Sequence, residues 1–179
     1  MRKSIRKFQV SIIGSSVCNE IIKSEAYKIG HLIGKKGFVL INGGRTGVME
    51  ASEKGCIDAN GVVIGIIPDP FFDNHNDYCS IVIPTGIGFA RNIITALAGD
   101  IILVVGGESG TLCELSYAWA YKKDIICCSW IEGVSKEYAG KKLDNKFVDD
   151  QNYKVISALN IEHLNEIIDT FYNKFINNY

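Results

Sequence analysis

Short, continuous apolar runs alternate along the chain with longer segments of helical periodicity. FQVSIIG at 8–14, FVLIN at 38–42, VVIGII at 62–67, DIILVV at 100–105 and DIICCSW at 124–130 read as strands, with a further short strand near 154–157. Between them, residues 19–36 place Ile21, Ile22, Ala26, Ile29, Leu32 and Ile33 at helical spacing, and Gly37 ends that helix in the manner of a C-terminal cap. Helices are also predicted following 43-GGRTGVMEA-51 to about Ala59, from Phe89 to about Ala98, from the GGESGT turn to about Lys122, and from about Ile161 onward. Residues 71–88 form a long polar-aromatic loop with a brief apolar run, and 131–152 are polar and irregular.

Strands that are apolar on both sides and alternate with helices predict a parallel sheet covered on both faces. The expected class is α/β: a Rossmann-like, doubly wound, mainly parallel sheet with helices on both faces. No repeat, low-complexity tract or linker interrupts residues 1–179, so one domain is expected. In such sheets ligands bind at the carboxyl ends of the strands. Two glycine turns fall there, 43-GGRTG-47 and 106-GGESGT-111, and Gly14 with Ser15 closes the first strand at the same edge.

A glycine pair between strand and helix lets backbone N–H groups approach a ligand unobstructed, and the helix N-terminus adds free donors and partial positive charge. Phosphate is the guest that arrangement suits, with Ser109 and Thr111 as added hydroxyl donors. The plainer alternative is that Gly106 and Gly107 only turn the chain and Thr111 caps the helix. GGRTGVM lacks the lysine of a GxxxxGK[ST] loop, and 14-GSSVCNE-20 stands where a nicotinamide enzyme would carry GxGxxG. Arg91 after TGIGFA and Glu114 after the second turn are the candidate chemical residues. A surface ion pair for the arginine and a dipole-favoured acid for the glutamate are the alternatives.

Composition narrows the partners. Among 179 residues, Lys plus Arg is 19 and Asp plus Glu is 20, a formal net charge of −1, which supplies no electrostatic reason for nucleic acid or an anionic membrane. No run reaches the roughly 18 apolar residues that a membrane helix needs. Six scattered cysteines without a CxxC pair read as reduced thiols of a cytoplasmic protein, with Cys113 the one near a glycine turn. No metal and no cofactor is expected. His75 could reach into the site from the 71–88 loop as a base or phosphate contact, with a loop histidine of no role as the plainer reading; His31 and His163 read as helix-face residues.

Taken together, 43-GGRTGVME-50, 84-PTGIGFARN-92 and 106-GGESGTLCE-114 resemble the LOG family, the cytokinin-activating nucleotide phosphoribohydrolases formerly labelled lysine decarboxylases. The chain is most similar to a bacterial branch with Arg-Asn in place of Arg-Lys, and the molybdenum-cofactor carrier proteins share the fold and these loops. The resemblance implies catalytic roles for Arg91 and Glu114. It implies a phosphate seat from Gly107, Gly110 and Thr111, flanked by Gly106 and Ser109. Gly43, Gly44, Gly47 and Met49 would line the sugar or base side, with Gly14, Ser15 and Asn92 completing the set. Val105 stands where the family has proline, and Asn92 where active members have lysine, which removes a charge that would hold substrate. The implied reaction is cleavage of a nucleoside 5′-monophosphate to free base and ribose 5-phosphate. The alternative is a carrier or sensor that binds a nucleotide or molybdopterin-type cofactor without chemistry. A homodimer or higher homo-oligomer is implied too, with Tyr117, Trp119 and the aromatic C-terminal helix as candidate contacts.

Overall fold

The computed structural model describes residues 6–147, 150 and 153–178. The strands are β1 (Gln9–Gly14), β2 (Val39–Asn42), β3 (Val62–Ile67), β4 (Ile81–Pro84), β5 (Ile101–Val105), β6 (Asp124–Cys128) and β7 (Ile156–Ala158). They form one sheet in the order β4-β3-β2-β1-β5-β6-β7, and every neighbouring pair is parallel. The helices are α1 (Glu20–Lys35), α2 (Val48–Asp58), α3 (Asn92–Ala98), α4 (Ser109–Ala120), α5 (Val134–Tyr138) and α6 (Ile161–Asn177).

The strands read as unbroken apolar runs because successive residues serve opposite faces. Val10 and Ile12 of β1, with Ile101, Leu103 and Val105 of β5, pack under Ala26 and Ile29 of α1, Val48 of α2 and Leu164 and Ile168 of α6. Ile13, Ile102 and Val104 point the other way, to Leu115 and Trp119 of α4 and Val134 of α5. The expected doubly wound α/β sheet is therefore present. Helices α1 and α2 meet almost backbone to backbone: a Cβ on Gly30 would collide with the Ser52 carbonyl, and one on Gly55 with the Tyr27 carbonyl. Asn19 caps α1 by accepting from the Ile22 N–H at 2.9 Å, and Gly37 ends it at φ +70°.

Three elements differ from expectation. The apolar run in the 71–88 loop is a strand, β4, added at the sheet edge. The helix expected from Phe89 opens as a 3-10 turn over Gly88–Arg91, and α3 proper starts at Asn92. The irregular 131–152 stretch contains the five-residue α5. Among the described residues, no helix is long and apolar enough to cross a membrane.

The strand order reverses direction between β1 and β5, where Gly14 pairs with Val105. Beyond a reversal of this kind the loops diverge and leave a crevice.

Candidate functional site

A cavity of about 830 Å³ opens in that crevice, within the roughly 300–1,000 Å³ common for small-molecule sites. Its lining brings together ten of the candidate residues: Gly14, Ser15, Gly43, Met49, Arg91, Asn92, Ser109, Gly110, Thr111 and Glu114. The other four, Gly44, Gly47, Gly106 and Gly107, lie in the same loops but are not among the lining residues, and their positive φ values turn those loops.

At the end of β5, Gly106 (φ +61°) and Gly107 (φ +103°) turn the chain through the left-handed region. Their polar groups are engaged from behind: Gly106 N–H donates to Ser135 Oγ at 2.9 Å, while the carbonyls of Gly106 and Gly107 accept from the N–H groups of Ser135 and Val134, each at 2.9 Å. The turn is thereby fixed to the start of α5. Helix α4 begins at Ser109 with Glu108 as its N-cap residue, and no side chain caps it. Thr111 is thus not the cap but a buried residue of the first turn. The first main-chain bond of this turn runs from Leu112 N–H to the Glu108 carbonyl at 2.9 Å. The N–H groups of Ser109, Gly110 and Thr111 therefore have no acceptor within the helix, and they stand at the cavity with the positive end of the helix dipole.

The GGRTG loop forms the opposite wall. Val48 N–H donates to the Ser15 carbonyl at 2.9 Å and Thr46 Oγ1 to the Ser16 carbonyl at 2.9 Å, so this loop is stitched to the one after β1. The bare Gly43 leaves room for the Arg91 guanidinium and Met49 Sδ, since a Cβ there would lie 2.4 Å from Arg91 Nη2 and 2.7 Å from Met49 Sδ and would push one or both aside. Arg91, at the end of the 3-10 turn, lies over that bare backbone.

Arg91 and Glu114 are both buried, at 8% and 7% exposure, and Arg91 Nη1 lies 3.6 Å from Glu114 Oε1. That separation is an ion pair without a formed hydrogen bond. Nη1 donates to Thr95 Oγ1 at 3.2 Å, and Nε has no partner although it is buried. Burial pulls the Arg91 pKa below its usual value, Glu114 opposes that shift, and Arg45 adds to it. Burial pushes Glu114 up to about 7, with Arg91 holding it from rising further. Because α4 starts at Ser109, Glu114 belongs to its second turn, and from there it reaches the cavity. A guanidinium with an unsatisfied buried N–H, a carboxyl poised between its two protonation states, and a row of open backbone donors together suit an anionic ligand with a reactive centre beside the carboxyl.

Sequence reasoning missed part of the wall. Arg45, Asn74, Asn76, Asp77 and Phe89 line the cavity, as does His75, whose Nδ1 lies 2.8 Å from the Asn76 carbonyl. The 71–80 segment folds back so that Asn76 N–H donates to the Gly44 carbonyl at 2.9 Å and Asn76 Nδ2 to the Arg45 carbonyl at 2.7 Å. The signals in the sequence were the length of that loop and His75, which was weighed as a residue that could reach the site. Asn92, at the lysine position, heads α3 and is buried at the cavity. Among the described residues, no cluster of three or more His, Cys, Asp or Glu side chains could hold a metal ion.

Residues 7–164 match the model of the SLOG cluster4 family. The chain belongs to that family. This LOG-like assignment agrees with the three loop motifs. An uncharacterized protein of Archaeoglobus fulgidus is 43% identical over 114 residues, which are 64% of this chain and 75% of that protein. Among solved structures, the molybdenum cofactor binding protein of Rippkaea orientalis is similar with a TM-score of 0.81 at 32% identity, covering 94% of this chain and 99% of that one. The molybdenum cofactor carrier protein of Chlamydomonas reinhardtii gives a TM-score of 0.76 at 26% identity, with the same coverage of 94% and 99%.

Proposed function

We propose that this cavity binds a nucleoside 5′-monophosphate and hydrolyses its N-glycosidic bond. The observation that carries the reading is the buried Arg91–Glu114 pair facing the open N-terminus of α4 in one cavity. The phosphate sits on the N–H groups of Ser109, Gly110 and Thr111 and takes the Thr111 hydroxyl. Arg91, which lines the cavity, offers its guanidinium to a phosphate or ribose oxygen. Binding energy from the phosphate, which does not react, then positions the anomeric carbon beside Glu114.

Water attacks C1′ as the C1′–N bond breaks; the hydroxyl stays on the ribose and the released proton ends on the base nitrogen. The transition state is oxocarbenium-like, and an ionised Glu114 stabilises its positive charge and orients the water. A pKa of about 7 lets the same carboxyl accept the water's proton at neutral pH and pass it on.

The test is an incubation of purified protein with AMP, GMP, CMP and UMP, following free base by chromatography. The native protein releases base from at least one of them. Glu114→Gln loses about 10²–10⁴-fold in rate while still binding that nucleotide in calorimetry. No release by the native protein from any of the four overturns the hydrolase.

A second reading is favoured by specific observations: both solved relatives described above bind or carry molybdenum cofactor, and Asn92 replaces the lysine of active LOG-family members. Under it the chain holds such a cofactor as cargo in the same cavity and performs no chemistry. Saturable binding of the cofactor, with no base released from any nucleotide, would establish the carrier.

A further inference from the structure

One arginine of the cavity wall has no part in the proposed reaction. Among the described residues, Arg6 pairs with Asp100 and Arg91 with Glu114, whereas the Arg45 guanidinium has no hydrogen bond or ion pair. The Asp77 carboxylate lines the same cavity, is likewise without a partner, and is not paired with Arg45.

The main chain beneath these two charges is fixed by Asn76. Its Nδ2 donates to the Arg45 carbonyl at 2.7 Å, and its N–H donates to the Gly44 carbonyl at 2.9 Å. Its Oδ1 accepts from Tyr78 N–H at 2.9 Å, which closes a turn with Asp77 at the centre. Arg45 is half-buried and Asp77 exposed, so a ligand reaches both. They stand on the wall across the cavity from the open N-terminus of α4. With the phosphate seated there, the part of a nucleotide that extends to this wall is the base.

The chemistry of the pair selects among bases. A second phosphate is disfavoured, because Asp77 and Glu50 on this side would repel it. Glu50 is already favoured where it is, in the first turn of α2 against the helix dipole. A guanidinium donates two parallel N–H bonds, and a carboxylate accepts two. The matching guest is a neutral ring with two adjacent acceptors on one edge and two adjacent donors on the next. Guanine has that pattern: O6 and N7 accept side by side, and N1–H and the 2-amino group donate side by side. Adenine sets its 6-amino donor beside N7, against the guanidinium, and neither cytosine nor uracil has two adjacent donors. We propose that Arg45 and Asp77 are specificity-determining residues that read a 2-amino-4-oxo pyrimidine ring, which in a nucleotide is guanine. Arg45 donates to O6 and N7, and Asp77 accepts from N1–H and the 2-amino group. A pterin carries the same ring with the same two edges and is the other source of this chemistry.

The inference rests on the cavity's being a nucleotide site with its phosphate at α4. Calorimetry on the native chain, and on Glu114→Gln so that ligand is not consumed, compares GMP, IMP and AMP. GMP is expected to bind about 10–100-fold more tightly than AMP, with IMP, which lacks the 2-amino group, between them. Asp77→Ala brings GMP down to IMP, and Arg45→Ala brings GMP down toward AMP. Both residues lie in loops, and unchanged AMP binding shows that the site stays folded. Equal native affinities for GMP and AMP overturn the proposal and leave the nucleotide reading standing. Equal weakening of GMP and AMP by Arg45→Ala makes the arginine a phosphate contact and also overturns it. If no nucleotide binds, the nucleotide reading fails, and 6-hydroxymethylpterin is compared with 6-hydroxymethyllumazine, its 2-oxo analogue. Tighter binding of the pterin that is lost in Asp77→Ala sustains the ring reading from the other source, and no preference between the two overturns it.

Discussion

Two buried carboxyls dominate at the scale of single residues. Glu53 and Glu114 are each raised by burial from an ordinary 4.5 to about 7, so between those values the folded chain binds more protons than the unfolded one. Stability must then fall as pH rises from 4.5 through 7 and level off above, by up to roughly 3 kcal/mol for each group. Urea midpoints measured from pH 5 to 8 should decline along that course, and Glu53→Gln should flatten part of it. A midpoint that rises with pH across the same window would contradict the burial of both groups in uncharged form. Arg91 and Glu114 were candidates from the sequence because each follows a glycine turn and each falls in a motif that resembles the LOG family, and the fold brings both to the cavity. Arg45, Asn76 and Glu53 were not. Their contacts arise when the 71–80 segment folds back over the GGRTG loop, and no local spacing encodes that return.

Among the elements, the glycines divide into two kinds of work. The turns were expected to present bare backbone to a ligand, and Gly43 and Gly110 do line the cavity. Gly106 and Gly107 are not among its lining residues and are fastened to α5, so their conformational freedom serves the turn itself, the plainer alternative weighed for them. Helix α5 was invisible beforehand because five residues carry too little periodicity to separate from a loop. Strand β4 was hidden for a related reason: it is four residues long and half-exposed at the sheet edge. Helices α1 and α2 were legible as periodic segments, but their mode of contact was not, since it depends on Gly30 and Gly55 facing carbonyls of the other helix. Gly30→Ala places a methyl against the Ser52 carbonyl and forces the helices apart. Overpacking of this sort costs about 1–3 kcal/mol, and it should appear as a lower thermal midpoint with little change in far-UV circular dichroism. An unchanged midpoint would mean that α2 yields without loss.

For the whole molecule, the question is what covers the outer sheet. Tyr117, Trp119 and the C-terminal helix were the expected contacts between copies, yet Trp119 is buried against Phe147 and Tyr153. The apolar side of α6 is likewise packed on the core through Leu164, Ile168 and Phe175. Exposed apolar surface gathers elsewhere. Ile81 and Ile83 of β4 pair in register with Ile64 and Ile66 of β3, and the latter two pack toward Ala98 of α3. The β4 isoleucines therefore share the α3 face of the sheet, but they are 50% and 44% exposed, as are Ile87 at 49%, Ile94 at 41% and Phe89 at 90%. Parallel sheets are normally covered on both faces, and the seven-residue α3 is too short to reach this edge. None of these five side chains is charged, and the chain's net charge of −1 offers little repulsion to a second copy of itself. Such a copy, related by a two-fold axis, would bring the same patch to the same patch. Phe89 also lines the cavity, so the contact would close one side of the site. The chain should accordingly run as a dimer in light scattering coupled to size exclusion. Ile83→Lys should convert it to a folded monomer and weaken nucleotide binding at the same time, although residue 83 is not part of the cavity lining. A native chain that is monomeric at tens of micromolar would leave this face uncovered and require another account of its exposed isoleucines.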